Sequence, residues 1–88
     1  MKVAFKDILY IEGLKDYVVM RTEEGKIITA MNLKTIHDQL PKSPFIRVSK
    51  SYVINVHRIT AIDNDFVTIR EVEVPIGDIS ENLFLTNM

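Results

Sequence analysis

Short segments in which apolar and polar residues alternate make up most of this chain, and they constrain the fold more than any other feature. Clear examples are YVVMRT, residues 17–22, and FVTIR, residues 66–70. A period of two turns one side of a segment toward a core and the other toward solvent, which is typical of half-buried strands. Further strands are expected at residues 2–5, 8–12, 27–31, 45–48, 52–56, 59–63 and 72–76.

The period changes once, in the segment NLKTIHDQLP, residues 32–41. Leu33, Ile36 and Leu40 recur there at helical spacing. Asn32 is a favourable N-cap, and Pro41 disfavours helical backbone angles in the residue before it. About two turns of helix are therefore expected, too short to be stable alone, so the helix should cover one open side of a β-core. Mostly short strands with one small helix indicate a sandwich or a stacked-sheet domain.

Length and composition limit the class of protein. The 88 residues fit a single domain, residues 1–88, and 26% charged residues argue against disorder. Because the chain has no cysteine, disulfide scaffolds, cysteine-ligated zinc sites and thiol nucleophiles are excluded. This composition fits a cytoplasmic location. The sequence has no apolar run near the roughly 18 residues that span a membrane, so we expect no membrane partner.

The charges are sorted along the chain. The window from residue 39 to residue 62 holds four of the eleven Lys and Arg residues and none of the twelve Asp and Glu residues. Its cations are Lys42, Arg47, Lys50 and Arg58, set among β-branched and aromatic residues. Such a window can neutralise phosphates, and Ser49, Tyr52 and similar side chains can add hydrogen bonds. The alternative is a solvated strand face that happens to be basic.

No pattern in the sequence indicates catalysis. His37 and His57 stand apart from any metal-binding spacing, and both are interpreted as surface histidines. Asp63 and Asp65 flank Asn64 without the Gly and Glu of a calcium loop, so turn chemistry explains them better. The three glycines are isolated and form no phosphate loop. We therefore expect a protein that is not an enzyme and that needs no cofactor or metal.

The stretch FIRVSKSYVINVHRI, residues 45–59, resembles the signature of the LytTR-type DNA-binding domain, the output domain of many bacterial response regulators. DILYIEGLKDYVVM, NLKTIHDQLP and VPIGDI resemble the family's opening strands, its helix and its closing stretch, so the similarity covers nearly the whole chain in order. The signature residues that match are Phe45, Arg47, Val48, Lys50, Ser51, Tyr52, Asn55 and Ile59.

The resemblance implies a fold of stacked small antiparallel sheets with one short central helix, and loops at one edge that enter successive major grooves of double-stranded DNA. Carried over position by position, the DNA-binding residues are Lys15, Asp16, Arg47, Ser49, Lys50, Asn55, Gly77 and Asp78. Arg47 and Asn55 have an alternative role as framework, since a strand arginine can satisfy buried carbonyls and an asparagine can hold a turn.

Two positions depart from the family pattern. Ser49 replaces a histidine, and Asp78 places a carboxylate where the family has an arginine. Asp78 can instead cap a short C-terminal helix, with Glu81 completing a capping box.

Two hypotheses about function remain from the sequence. The first is a sequence-specific DNA-binding domain of a transcriptional response regulator, acting as a homodimer on paired half-sites. An intact regulator usually carries a receiver domain, but 88 residues leave no room for one. The chain would therefore be either a domain excised from such a regulator or a free-standing domain. The second is a protein-interaction module on the same fold that has lost DNA binding, which Asp78 and the net charge of −1 favour.

Overall fold

The computed structural model describes residues 4–76 of the chain, and that part contains eight strands and one α-helix. Every strand in it is three to six residues long, as the short alternating segments predict. The elements, in chain order, are β1 Ile8–Gly13, β2 Val18–Thr22, β3 Gly25–Thr29, α1 Leu33–Gln39, β4 Phe45–Arg47, β5 Tyr52–Asn55, β6 Ile59–Ile62, β7 Phe66–Ile69 and β8 Val72–Pro75.

The strands form two antiparallel sheets. The larger sheet has the order β3-β2-β1-β5-β4, and the smaller has the order β6-β7-β8. Within each sheet most pairs are between strands that follow each other in the chain, but β1 also pairs with β5, where Tyr10 lies opposite Ile54. The predicted class, stacked small antiparallel sheets with a short central helix, is confirmed.

Each face of the larger sheet covers a separate part of the core, because strand residues alternate between the faces. On one face Ile11 and Val53 pack with the buried side of α1. On the other face Tyr10 and Ile54 pack with Val67 and its neighbours in the smaller sheet. The buried residues of α1 and its C-cap are Leu33, Ile36 and Leu40, as the helical spacing predicts.

Two local predictions are wrong. The strand expected at residues 2–5 does not extend to Phe5, because Phe5–Asp7 forms a turn of 3-10 helix in which the Asp7 amide donates to the Ala4 carbonyl. The strand expected to reach Val56 ends at Asn55, and Val56–Arg58 forms a second 3-10 turn. The predicted C-terminal helix, Gly77 and Asp78 lie outside the described residues.

One carboxylate links the two sheets at the end where β2 turns into β3. Glu23 accepts from Arg58, which precedes β6, and from Arg70, which follows β7. Arg58 also donates to the Lys6 carbonyl, with 3.0 Å between Nε and O. These contacts fix the smaller sheet against the larger one at the end opposite the loops described next.

Candidate nucleic-acid interface

Two loops meet at one end of the larger sheet. The loop after β1 holds Lys15, and the loop before β5 holds Ser49 and Lys50. The amide of Gly13 donates to the carbonyl of Ser51 at 2.6 Å and so joins the two loops at their bases. Because β1 and β5 are paired neighbours, strand pairing brings together residues that lie more than 30 positions apart in the sequence.

The start of α1 is the third element at this end. A Cβ on Gly13 would lie 2.9 Å from the Leu33 Cβ, closer than side chains normally approach. Glycine at this position therefore lets the helix approach the loop. Asn32 caps the helix, since its side chain accepts from the Thr35 amide at 2.7 Å.

The three elements enclose an open groove of about 700 Å³, here called the basic groove. Its lining includes four cations and no acidic residue. Because the lining itself carries positive charge and no carboxylate, the groove suits a phosphate backbone. Its cations are Lys15, Lys34, Arg47 and Lys50.

Arg47 holds the loop that carries Lys50. Its Nε donates to the Ser49 carbonyl at 3.1 Å, and its Nη2 donates to the Lys50 carbonyl at 2.9 Å. The loop is tightened further by the Ser51 amide, which donates to the Ser49 hydroxyl at 3.2 Å. The planar guanidinium thus satisfies two backbone carbonyls at once and fixes the position from which the Lys50 side chain extends.

A tyrosine and a glutamate support the same end of the sheet. The Tyr52 hydroxyl donates to Glu12 Oε2 at 3.2 Å. Burial, and then the neighbouring Glu12 carboxylate, raise the pKa of the Tyr52 phenol, so the group stays protonated as a donor. Tyr52 and Glu12 lie directly opposite each other on β5 and β1, immediately below the two loops.

The DNA-binding residues predicted from the sequence do not all lie at the basic groove. Lys15, Arg47 and Lys50 line the basic groove, Asp16 is exposed beside Lys15, and the half-buried Ser49 lies in the Arg47-bound loop.

Asn55 lies at the other end of β5 from this loop and is only 1% exposed. Its amide nitrogen donates to the Ile8 carbonyl at 2.9 Å, and its oxygen accepts from the His57 amide at 3.0 Å. Both ends of the side-chain amide therefore have a partner within the domain.

Sequence reasoning missed Lys34, which lies across the groove from Lys50. Its only ionic partner within the described residues, Asp38, is 3.8 Å away, and both side chains are largely exposed. An exposed pair at that distance is weak, so the ammonium group is available to another anion. The helical spacing in the sequence indicates the buried face of α1 but assigns no role to the cation on its exposed face. The conspicuous Arg58, by contrast, is engaged by Glu23 at the opposite end.

The same fold and the same signature occur in known proteins. A family model for the LytTr DNA-binding domain matches residues 1–78. The chain belongs to the LytTR family. A solved structure, the LytTr DNA-binding domain of a methyl-accepting/DNA response regulator from Bacillus cereus, superimposes with a TM-score of 0.89 at 25% identity. That match covers 98% of this chain and 84% of the other.

This LytTR domain is thus a DNA-binding domain, from a family defined by DNA binding rather than by catalysis. Among residues 4–76, no group of His, Asp and Glu side chains is arranged to hold a metal ion. Within the same residues no helix has the length and apolar character needed to cross a membrane.

Proposed function

We propose that this LytTR domain is the sequence-specific output domain of a transcriptional response regulator. In this proposal the loops beside its basic groove, after β1 and before β5, enter the major grooves of duplex DNA. The observation that carries the proposal is the basic groove, in which three chain segments present cations and no carboxylate. The smallest dimension of the domain is 21 Å, whereas a major groove is about 12 Å wide. Only protruding loops can therefore reach the base edges.

The side chains have different roles in this proposal. Lys15, Lys34 and Lys50 bind phosphates, and Lys50 is also placed on a loop tip from which it can donate to a guanine. Asp16 and Ser49 flank these contacts. Family resemblance adds Gly77 and Asp78, which lie outside the described residues.

Arg47 and Asn55 act through the framework in this proposal. Arg47 uses two of its donors on the loop backbone, and the Asn55 amide is buried with both ends satisfied. Neither side chain needs to touch DNA to matter for binding. Of the two roles that the sequence left open, the observed hydrogen bonds support this one.

The remaining partners follow from the family. We propose a homodimer on paired half-sites, joined to a receiver domain in the intact regulator and acting in the cytoplasm. A regulator of this kind transmits a signal from the receiver to the DNA-binding domain, and paired half-sites raise affinity because the second contact becomes intramolecular.

The test is selection of bound sequences from random duplex DNA, followed by affinity measurements at several salt concentrations. Each phosphate contact contributes a slope of about −0.9 to log K against log salt. Lys15→Ala, Lys34→Ala and Lys50→Ala should each reduce the slope by about one contact. Lys42→Ala is the matched control, because Lys42 belongs to the basic window of the sequence but does not line the groove. Equal slopes for all four variants would contradict the placement of DNA at the groove.

The second candidate is an interaction module on the same fold that has lost DNA binding. The observations in its favour are the net charge of −1 and Asp78 at a position where the family has arginine. If it is correct, selection should return no enriched sequence, and the wild-type domain should bind DNA no better than the triple variant that lacks Lys15, Lys34 and Lys50.

A further inference from the structure

The outer edge of β3 is open. β3 is a terminal strand of the larger sheet, and in the described part of the chain its partner is β2 alone. The hairpin has a two-residue turn, so Thr22 and Gly25 form its hydrogen-bonded closing pair. Hydrogen-bonded and non-hydrogen-bonded pairs alternate along an antiparallel ladder. Lys26 and Ile28 are therefore in non-hydrogen-bonded pairs with β2, and their backbone N–H and C=O groups point away from β2 toward the open edge.

Apolar side chains are exposed on both faces of this edge. On one face Ile28 is 58% exposed, and it lies opposite the half-buried Val19. On the other face a hollow of about 310 Å³ lies between β3 and α1, lined by uncharged residues that include Ile27 and Phe5. Phe5 itself is 50% exposed. A strand added at this edge would therefore cover apolar surface above and below the sheet.

The other outer strands carry features that discourage pairing. β4 has three residues and follows Pro44, β6 contains a register shift, and β8 ends in Pro75. Proline, shortness and bulges are common means of protecting sheet edges. β3 has a regular register over five residues and no proline, and its single protective residue is Lys26.

We propose that β3 is a self-association surface that pairs antiparallel with β3 of a second copy of this chain. An antiparallel strand is its own partner across a two-fold axis, so the same surface serves both copies. With the axis at Ile27, the outward backbone groups of Lys26 in each copy meet those of Ile28 in the other. The aliphatic stem of each Lys26 then covers the exposed Ile28 of the other copy. The second copy's Ile27 lies beside the apolar hollow.

This pairing has a consequence that rests on the proposed function. Antiparallel pairing reverses the strand direction of the second copy, and the basic groove lies at one end of the strands. The two grooves therefore face opposite ways, so a β3-paired dimer holds two separate duplexes instead of adjacent half-sites on one. This dimer differs from the arrangement on paired half-sites and makes the domain able to bridge DNA.

The first test measures association of the 88-residue chain without DNA, by sedimentation equilibrium over a range of protein concentrations. Wild-type protein should form dimers, and Ile28→Lys should raise the dimer dissociation constant at least about tenfold, since a charge at the edge opposes pairing. Val72→Lys is the matched control, because Val72 is an exposed valine, 41% accessible, on the protected strand β8. A monomeric wild type, or equal association of the Ile28 variant, would overturn the proposal.

The second test uses the absence of cysteine from the chain. A nitroxide attached through Ile28→Cys should show strong dipolar coupling between copies, whereas one attached through Val72→Cys should not. Weak coupling at both positions in a dimeric sample would place the interface elsewhere and refute pairing along β3. Because neither test contains DNA, failed DNA binding with intact dimers would refute the proposed function and leave this interface standing. Bridging is then tested by measuring whether a dimer bound to one labelled duplex captures a second duplex that carries a different label.

Discussion

Arg47→Ala is the substitution that best separates support of the DNA-binding loop from direct contact with DNA. The change removes two hydrogen bonds, from Nε to the Ser49 carbonyl and from Nη2 to the Lys50 carbonyl. Hydrogen bonds to a charged donor contribute about 1.5–3 kcal/mol each when buried. Here the first is partly buried and the second is exposed, so water replaces part of the loss and the free energy of unfolding should fall by about 1–3 kcal/mol.

The effect on DNA binding should be larger than a simple loss of stability suggests. Ordering the backbone of one residue costs about 1–2 kcal/mol, and in the variant DNA must order Ser49 and Lys50 on binding. For these two residues the cost is about 2–4 kcal/mol in total, which raises Kd roughly thirtyfold to nearly a thousandfold. The number of phosphates contacted does not change, so the salt dependence should remain that of the wild type.

The assay is fluorescence anisotropy with a labelled selected duplex at four or more salt concentrations, with a thermal melt of each variant. Arg47→Lys is the control, because lysine keeps the charge but cannot reproduce the planar two-point contact. If Arg47 supports the loop, Arg47→Ala and Arg47→Lys both weaken binding with unchanged slopes.

A different outcome would refute this reasoning. If Arg47→Lys binds like the wild type and Arg47→Ala reduces the salt slope by about one contact, the guanidinium binds a phosphate directly. In that case the two hydrogen bonds to the loop are replaced on DNA binding.

Three further predictions concern other positions. Lys50→Ala should weaken DNA binding because a phosphate contact is lost. If Lys50 also donates to a guanine, discrimination at one base pair should fall by about 1–3 kcal/mol in a series of mismatched duplexes. Unchanged affinity and unchanged sequence preference would exclude both the phosphate contact and the guanine contact. Ile36→Ala should lower the free energy of unfolding by about 2–5 kcal/mol, because Ile36 is 6% exposed, and a wild-type melt would contradict its place in the core. Asn55→Ala should lower the free energy of unfolding by about 2–4 kcal/mol in denaturant, since the buried Ile8 carbonyl and the partly buried His57 amide lose their partner, and it should leave the salt slope unchanged.

Local patterns in the sequence predict the individual elements well. Alternation locates the strands, and Asn32, Pro41 and the spacing of the three buried aliphatic residues locate α1. These signals work because they depend on neighbours within a few positions. The pairing of β1 with β5 depends instead on packing between residues about 40 positions apart, and no periodicity specifies it.

The second 3-10 turn shows why a local sequence pattern can place the end of a strand wrongly. Asn55 has the residue type of a strand end, yet its side chain accepts from the His57 amide and donates to the Ile8 carbonyl across the domain. The second bond joins residues 47 positions apart, so alternation around Asn55 cannot reveal it. The turn at Val56–Arg58 is a tertiary feature that the local sequence permits but does not specify.

The charge pattern has the same limitation. The acid-free window predicts a basic surface, but the structure separates its cations: Arg47 and Lys50 line the groove, while Arg58 is paired with Glu23 at the opposite end. Lys15 and Lys34 come to the groove from outside the window. If DNA binds at the groove as proposed, the salt dependence of binding should follow the cations of the groove and not those of the window.

DNA binding at the groove lysines, as proposed, would also explain how a domain with a net charge of −1 binds a polyanion. Exposed charges farther apart than about 8–10 Å are largely screened at physiological salt, so the acidic residues elsewhere on the domain repel DNA only weakly. Attraction then depends on the few cations within that distance of the phosphates. Three lysine contacts predict a slope near −2.7, which is modest, so affinity must come mainly from contacts that salt does not weaken. A rigid loop supplies these, and for that reason the hydrogen bonds of Arg47 should matter to binding as much as any single charge.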